Sequence, residues 1–390
     1  MLSRRTLCRY TGNGLAFMAL SPAVRAWEDE GPALVEVAQL PWVCNAVAST
    51  ASGRLFAGLP RWPGYADTPS IVELLPDGRH RPFPGGGWNQ WQPGQPTARA
   101  LVKINTVHIF DDDTLWAIDQ GEEHPDGFSR GQKILQFDVG TGELLRSITL
   151  PDSVLPAGAT LNDLRLDAGH IYLTDSGLGA IIVVDLASGS AVQRLASHPS
   201  TKMISSRRPI GEGGQVLLKP DGSDNQVHSD PLEISPDGQW LYYQALTGPL
   251  WKVPTAALRD RSLGEAELGR EVQWVHDAGT LTGTAIDSLG NLYLGEYDRP
   301  RVSVLAADGS RRVLVEDERL WNPDAMIINH KRELFIPVPQ SARLASNRGP
   351  GGQSRVQPPF RIYKLALPAA LGGREAVPAL LGKPLGEKQE

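Results

Sequence analysis

The chain has 390 residues and a formal net charge of −6 at pH 7. An acidic protein has no electrostatic attraction for nucleic acid or for an anionic membrane surface, so neither is expected as a partner. The 41 glycines and 31 prolines favour a turn-rich, all-β protein. The length would allow two domains, but it also suits a single β-propeller.

The first residues contain the three parts of an export signal. The pair Arg4-Arg5 is a twin-arginine start, residues 15–20 form a short apolar core, and Val24-Arg25-Ala26 offers a small-residue cleavage site. This order predicts a signal peptide over residues 1–26, export to the periplasm or the exterior, and a single mature domain over residues 27–390. The alternative is the ordinary basic start of a cytosolic chain. Because the apolar core is too short to span a bilayer, no membrane insertion is expected after cleavage.

Cysteine usage is sparse. Cleavage would remove Cys8 and leave Cys44 as the only cysteine of the mature chain, which can then form no internal disulfide. Cys44 follows Trp42 and Val43, and this apolar neighbourhood favours a small buried hydrophobe over a reactive thiol.

A related phrase occurs six times along the chain. Each phrase has a polar leading residue, an alternating apolar strand, a turn and a second strand rich in aromatic and aliphatic residues. The leading residues are Asn45, Asn105, Asn162, Asp230, Thr282 and Asp324. They lie 60, 57, 68, 52 and 42 positions apart, and self-similarity at such a period is typical of a solenoid or a β-propeller. Each phrase predicts a hairpin, and therefore one propeller blade.

Outer strand pairs lie between the repeated hairpins and complete the blades. They carry turns of the PDG, TG, SG or DG type, as in residues 70–83 and 301–316. The sixth blade has one outer strand, at residues 360–367, and needs another. Residues Ala33 to Leu40 are the natural donor. The sequence therefore predicts an all-β, six-bladed β-propeller whose ring is closed by an N-terminal strand that joins the last blade.

Three long connections interrupt this regular succession of strands and short turns. Residues 82–100 contain Trp88 and Trp91, residues 197–229 contain several cations, and residues 340–359 contain Arg348. Loops of this length in a compact domain are more often functional than idle, and these three are expected around the mouths of the central channel. The alternative is that they are surface loops of variable sequence that have no function of their own.

The leading residues are candidates for a metal or ligand site. Because the first strand of each blade lines the axis of a propeller, the six side chains should form a ring of polar oxygens at one end of the channel. Carboxylate, amide and hydroxyl oxygens are hard ligands that suit Ca²⁺. The alternative is that an Asn or Asp at a strand start only bonds neighbouring backbone. Recurrence in every blade strengthens the case for the ring.

Other charged residues offer further roles. Glu233, on an inner strand, could be a general base or a partner for an arginine. Asp175 is expected to be structural and to accept backbone N–H bonds in the turn that follows it. The run Glu122-Glu123-His124 is expected in a solvated loop rather than at a metal, because adjacent strand positions face opposite sides. His108 lies among apolar residues and is expected to be a satisfied core histidine.

No sequence motif of the common serine hydrolases, nucleotide-binding proteins or zinc proteases is present. Several phrases, however, closely resemble the Yellow / major royal jelly protein family. The resemblance rests on IVELLPDGRHRPFPGGGWNQ, ILQFDVGTGELLRSITLP, LNDLRLDAGHIYLTDSGLGAIIVVDLASG and AIDSLGNLYLGE, and it runs from about Val35 to Leu367. It implies a secreted, six-bladed propeller. Animal members of that family include binders of small amines and proteins linked to dopachrome conversion and pigmentation, whereas the activity of bacterial members is mostly unassigned.

The chain is similar, more distantly, to calcium-dependent gluconolactonases, which also have six blades. That similarity implies a metal site at Asn105, Asn162 and Asp230, which fall where that family has ligands on its second, third and fourth blades. The acid of its first blade has no counterpart here, because Cys44 and Asn45 stand near that position. The loss of one anionic ligand weakens Ca²⁺ binding and removes a candidate base, which argues against lactone hydrolysis.

Together these features predict an exported, monomeric propeller that binds a small aromatic or cationic organic molecule at the mouth of its channel. The predicted ligand contacts are Trp88, Trp91, Asp324 and Arg348, with Asp230 and Glu233 as further acids. One alternative is a metal-dependent hydrolase or isomerase, of lactonase-like or dopachrome-converting type. Its catalytic residues would be Asp230, Glu233 and Asn162, and Ca²⁺ or another divalent cation would be held by Asn105, Asn162 and Asp230. Another alternative is a non-catalytic scaffold that presents its loops to a protein partner.

Overall fold

The computed structural model describes residues 32–110, 114–167 and 169–374. The predicted signal peptide and Cys8 lie outside these residues. In the described part the α-helices are short and lie in blade 4, as α1 (Thr255–Arg259) and α2 (Glu265–Glu271). Single turns of 3-10 helix lie in the long connections, at Pro199–Thr201, Glu212–Gly214, Ser341–Arg343 and Ala345–Asn347. None of the helices among these residues is long and apolar enough to cross a membrane.

The strands of the described residues form six four-stranded antiparallel sheets, which confirms the six predicted blades. The first strand, β1 (Val35–Leu40), belongs to the last blade. Blade 1 contains β2 (Ala46–Ser49), β3 (Leu55–Gly58), β4 (Ile71–Leu74) and β5 (His80–Pro82). Blade 2 contains β6 (Ile104–Ile109), β7 (Thr114–Asp119), β10 (Lys133–Asp138) and β11 (Leu144–Ile148), and a separate ribbon pairs β8 (Glu122–Glu123) with β9 (Ser129–Arg130).

The remaining blades follow the same plan. Blade 3 contains β12 (Leu161–Asp167), β13 (His170–Asp175), β14 (Ala180–Asp185) and β15 (Ala191–Arg194). Blade 4 contains β16 (Ser229–Ile234), β17 (Trp240–Ala245), β18 (Leu250–Pro254) and β19 (Gln273–His276). Blade 5 contains β20 (Leu281–Ile286), β21 (Leu292–Glu296), β22 (Arg301–Leu305) and β23 (Arg311–Glu316). Blade 6 contains β24 (Ile327–Ile328), β25 (Glu333–Val338), β26 (Phe360–Ala366) and β1.

The first strand of each blade surrounds the axis. Strands β2, β6, β12, β16, β20 and β24 contact one another in turn, and β24 contacts β2 to complete the circle. Along each of these strands, every second side chain faces the channel, and the side chains between them pack against the neighbouring blades. The inner strands are therefore the elements that bring the six leading residues together.

An aromatic side chain on the second strand of each blade fills the space between blades. The buried side chains are Phe56, Trp116, Tyr172, Tyr243, Tyr293 and Phe335. Trp116 of blade 2 packs in one cluster with Leu164 and Ile171 of blade 3. Burial of each large apolar side chain stabilises the fold by about 1.5–3 kcal/mol, so this recurring contact holds neighbouring blades together.

The ring is closed as the sequence predicts. Strand β1 pairs antiparallel with β26, with Val35 opposite Lys364 and Leu40 opposite Phe360. The strand begins at Val35, two residues later than the predicted Ala33. The last blade therefore contains strands from both ends of the chain, and β26 is covered on both sides.

Three structural expectations are confirmed. Asp175 accepts hydrogen bonds from the backbone N–H groups of Thr160 (2.8 Å) and Gly177 (3.0 Å), so it ties the entry of β12 to the following turn. Cys44 is buried, and this burial raises the pKa of its thiol far above the ordinary value. His108 is buried and lies 2.7 Å from Asp163 through Nε2 and Oδ1. The predicted loop at residues 122–124 is instead partly a strand, because Glu122 and Glu123 form β8.

Candidate functional site

A cavity of about 400 Å³ opens at one end of the central channel. We call it the axial cavity. Its lining includes all six leading residues: Asn45, Asn105, Asn162, Asp230, Thr282 and Asp324. The repeat pattern thus identifies a set of side chains that the fold brings to one place, although they are spread over 280 positions of the sequence.

Irregular strand pairing turns these side chains toward the axis. In blades 2 to 5 the pairing of the inner strand with the second strand shifts register between Ile104 and Thr106, Leu161 and Leu164, Ser229 and Leu232, and Leu281 and Gly283. Each interval contains a leading residue. A β-bulge leaves its extra residue out of the ladder and re-aims the side chain, so the bulges explain why each of these blades presents a polar group to the channel.

The amides of the ring donate hydrogen bonds from one blade to the next. Asn45 Nδ2 donates to the Asn105 carbonyl oxygen at 2.6 Å, and Asn105 Nδ2 donates to the Asn162 carbonyl oxygen at 3.0 Å. Asn162 Nδ2 in turn donates to a carboxylate oxygen of Asp230. Asn45 Oδ1 is buried and has no hydrogen-bond partner among the described residues. This chain of hydrogen bonds therefore begins at blade 1, where one acceptor is unsatisfied, and ends at blade 4 in a carboxylate.

Two carboxyl groups in the cavity wall have raised pKa values. Burial raises the pKa of Asp324 to about 7, against a hydrogen bond from the Ala325 backbone and with a contribution from Asp163. Burial also raises the pKa of Asp230 well above its ordinary range, and the negative charge of Asp324 raises it further. Neither acid forms an ion pair with a Lys or Arg among the described residues. Such perturbed, uncompensated acids in a cleft are typical of binding and catalytic sites.

The rest of the lining combines polar side chains with aliphatic and aromatic ones. Trp62 and Tyr297 line the axial cavity, and the Tyr297 hydroxyl lies 2.8 Å from Ser341 Oγ. Lys103 and Lys219 also line it, but Lys103 pairs with Glu123 at 2.6 Å. The cavity therefore offers acids, hydrogen-bonding groups and aromatic surface to one small molecule.

A buried ionic layer lies further along the inner strands. Arg165 makes a bidentate pair with Glu233, with Nε to Oε2 at 2.9 Å and an Nη to Oε1 at 2.7 Å. Arg165 also contacts Asp163 at 3.0 Å, and Thr284 donates to Glu233 at 2.8 Å. Burial would raise the pKa of Asp163, but Arg165 and His108 outweigh it and hold that pKa well below its ordinary range. These buried groups therefore satisfy one another.

The contacts within this buried layer distinguish between the two roles predicted for Glu233. Its carboxylate is buried, is paired with Arg165 and does not belong to the described lining of the axial cavity. Of the two roles left open for Glu233, the arginine partner is the one that the contacts match. Sequence reasoning did not identify Arg165 or Asp163. A signal was available, because both are charged residues two positions apart on an inner strand and such positions share a face.

The two predicted indole contacts lie outside the axial cavity. Trp91 is buried with Ala100 and Val102, and its Nε1 donates to the Gln95 carbonyl oxygen at 3.0 Å. Trp88 packs edge-on against Phe137, with ring centroids 5.2 Å apart. These tryptophans anchor the loop at residues 82–100 to blades 1 and 2, and Trp62 supplies the indole of the cavity instead.

The other predicted site residues lie in two different cavities. Asp324 lines the axial cavity with the predicted metal ligands Asn105, Asn162 and Asp230. Arg348 lines a different, neighbouring cavity. Among the described residues there is no cluster of three or more His, Cys, Asp or Glu side chains that could hold a metal, so any cation site here depends on amide oxygens.

Comparison with known proteins gives the same architecture. The protein is similar in structure to a luciferin-regenerating enzyme, with a TM-score of 0.55 and 10% identity over 89% of this chain and 99% of that one. It is similar to a gluconolactonase from Xanthomonas campestris, with a TM-score of 0.51 and 14% identity over 86% and 89% of the two chains. It is also similar to regucalcin, a calcium-binding protein from Agrobacterium tumefaciens, with a TM-score of 0.50 and 14% identity over 87% and 96%. At these identities the likeness shows the fold alone.

The sequence itself is more specific. No curated protein sequence matches the chain. The pattern of the major royal jelly protein family does match, over residues 104–336. This segment covers more than half of the chain and runs from β6 in blade 2 into β25 in blade 6. The chain therefore belongs to the major royal jelly protein family, as its resemblance to Yellow proteins predicts.

Proposed function

We propose that the protein binds a small organic cation with an aromatic group in the axial cavity. The observation that carries this proposal is the pair Asp230 and Asp324, two acids in one cavity wall without a Lys or Arg partner among the described residues. An ammonium group between them would favour both ionised carboxylates and relieve their mutual repulsion. The resemblance to amine-binding animal members of the family supports the same ligand class.

The size and the lining of the cavity suit such a ligand. A volume of about 400 Å³ lies in the range of small-molecule sites, roughly 300–1,000 Å³. Trp62 and Tyr297 can contribute apolar contact and attraction between a cation and an aromatic face. Members of the family are secreted, so a ligand met outside the cytoplasm is expected.

We expect phenethylamine to bind with an affinity that rises with pH. The amine is protonated throughout pH 5.5–8, whereas Asp324 has a pKa of about 7 in the free protein. Binding below that pH must release a proton, and each pH unit weakens binding by up to about tenfold. Isothermal titration calorimetry at pH 5.5 and pH 8 should show a difference of roughly tenfold or more in Kd.

Matched ligands and variants separate this proposal from non-specific binding. The uncharged isostere 2-phenylethanol should bind much more weakly than phenethylamine and without pH dependence. Asp324→Asn should reduce the pH dependence, because it removes one of the two acids whose pKa is raised, whereas Asp77→Asn, at an exposed turn, should leave it intact. Equal binding of the amine and the alcohol would contradict a cation site.

A divalent cation is the second candidate occupant, favoured by a specific observation. Asn45 Oδ1 is buried and unpartnered, and the oxygens of Asp230, Asp324 and the ring amides supply the hard donors that Ca²⁺ prefers. Asn105 and Asn162 would hold the ion through their side-chain amide oxygens, and Asp230 would hold it through its carboxylate. When bound, such an ion can polarise a carbonyl oxygen of a lactone or quinone-like substrate.

Thermal unfolding tests the metal directly. Ca²⁺ at about 100 times its Kd should stabilise the native state by about 2.7 kcal/mol, which corresponds to a rise in Tm of roughly 3–5 °C for a domain of this size. Asp230→Asn should abolish the rise, because it removes one of the two carboxylates of the site, and Asp77→Asn should preserve it. If millimolar Ca²⁺, Mg²⁺, Mn²⁺ and Zn²⁺ all leave the Tm unchanged, the metal-dependent hydrolase is excluded and the amine site remains.

A further inference from the structure

A second cavity, of about 320 Å³, lies where two of the long connections meet. We call it the arginine cavity. Residues 212–215 of one connection and residues 343–357 of the other supply its walls. The side chains that matter for its chemistry are Glu212, Gln215, Arg343, Arg348, Arg355 and Gln357.

Backbone contacts between the two connections hold this cavity in shape. The Leu218 carbonyl oxygen accepts a hydrogen bond from the Gly349 N–H at 3.0 Å, and the Leu218 N–H donates to the Asn347 carbonyl oxygen at 3.2 Å. Arg348 therefore lies between two residues that are hydrogen-bonded to the other connection. The Arg355 N–H donates to the Arg343 carbonyl oxygen at 2.8 Å. The intervening turn needs Gly352, because a Cβ there would lie 2.7 Å from Arg348 Cβ. The turn thus returns Arg355 to the side of Arg343 and Arg348.

The charges in the arginine cavity do not balance. Glu212 is the carboxylate of the lining, and Arg343 engages both of its oxygens, at 2.6 and 2.9 Å. Arg348 donates to the neutral Gln215 Oε1. The Arg355 guanidinium is exposed and makes no hydrogen bond or ion pair with the described residues. Burial lowers the pKa of Arg348, and the like charge of Arg355 lowers it further, so the two guanidiniums are close enough to repel each other.

We propose that the arginine cavity binds a small organic dianion, a phosphate monoester or a dicarboxylate, through Arg348 and Arg355. Two positive charges without a carboxylate partner match a dianion, and planar guanidiniums bind phosphate or carboxylate oxygens in pairs. The Gln357 and Gln215 amides offer further hydrogen-bond donors. A volume of about 320 Å³ leaves room for an organic group beyond the anionic head.

This site is independent of the function proposed for the axial cavity, although the two are neighbours. Ser346 and Asn347 line the axial cavity, whereas the next residue, Arg348, lines the arginine cavity. A protein that binds no amine would still contain the uncompensated arginines. Conversely, loss of the arginines leaves Asp230 and Asp324 in place.

The test uses the purified protein and isothermal titration calorimetry with phenyl phosphate and glutarate, which separate the phosphate source from the dicarboxylate source. Inorganic phosphate is the probe for the anionic head alone, and sodium chloride at equal ionic strength controls for screening. We expect one molecule of phenyl phosphate or glutarate per chain, bound more tightly than inorganic phosphate. The double change Arg348→Gln and Arg355→Gln should weaken binding at least roughly tenfold.

A charge-matched control is the double change Arg79→Gln and Arg261→Gln, at exposed positions on blades 1 and 4, which should leave Kd unchanged within about twofold. Asp324→Asn should likewise leave dianion binding unchanged, which separates this site from the axial cavity. If Arg348→Gln impairs folding, Arg355→Gln alone decides the matter, because the Arg355 guanidinium is exposed and makes no hydrogen bond or ion pair with the described residues. Absence of binding at millimolar probe, or equal binding by the arginine double variant, overturns the proposal.

Discussion

Replacing Arg165 by methionine is expected to lower the free energy of unfolding by about 3–5 kcal/mol, because it leaves buried carboxylates without their cation. Arg165 is 3% exposed and pairs with both Glu233 and Asp163. Removing one member of a buried ion pair costs more than the net worth of the pair, since the remaining charge stays desolvated. Urea denaturation followed by circular dichroism measures the loss.

The pH dependence of that loss identifies its cause. Arg165 and His108 hold the pKa of Asp163 below its unfolded value of about 3.9, so this group stabilises the native state above that pH. The contribution disappears as pH falls below about 4 toward the folded pKa. The difference between the parent and Arg165→Met should therefore shrink in acid. A cavity effect of the substitution would not change with pH in this window.

Two controls accompany the experiment. Arg79→Met removes an exposed guanidinium from a surface pair with Asp77 and should cost less than about 1 kcal/mol. Glu233→Gln keeps a hydrogen-bond acceptor for Arg165 and leaves Asp163 paired, so its cost should lie between those of the two arginine variants. An Arg165→Met protein as stable as the parent would show that the buried layer contributes nothing to the fold.

Removing β1 is expected to lower the Tm by roughly 10 °C or more. Leu40 is 1% exposed and packs in one cluster with Ile362 and Val47, so deletion removes core packing as well as backbone pairing. It also exposes β26 as a free edge. We expect the protein that begins at residue 41 to melt earlier and to associate in size-exclusion chromatography.

The matched control for this deletion is the protein that begins at Val35. It lacks residues 32–34, which lie outside any strand, but keeps all of β1. Its melting temperature should equal that of the protein that begins at residue 32. An unchanged melt after removal of β1 itself would mean that pairing with β26 is dispensable for closure.

Periodicity in the sequence determined the number of blades and the identity of the six leading residues that line the axial cavity. A hairpin repeated six times must bury its apolar faces against copies of itself, and a closed circle gives every blade a neighbour on each face. The leading residue of each repeat occupies the same place in each blade, so its position near the axis follows from symmetry. The missing strand of blade 6 was predictable for the same reason, because the C-terminal repeat is one strand short.

Only the tertiary structure decided what lies beside the ring. Trp62, Trp88 and Trp91 all lie in irregular connections, where no period relates sequence position to direction, and only Trp62 reaches the axial cavity. The pairing of Glu233 with Arg165 joins residues 68 positions apart on neighbouring blades. The approach of Arg355 to Arg348 likewise depends on a glycine turn and on contacts between two loops. Local sequence records which side chains are present, but the rotation from blade to blade and the packing of loops determine which of them meet.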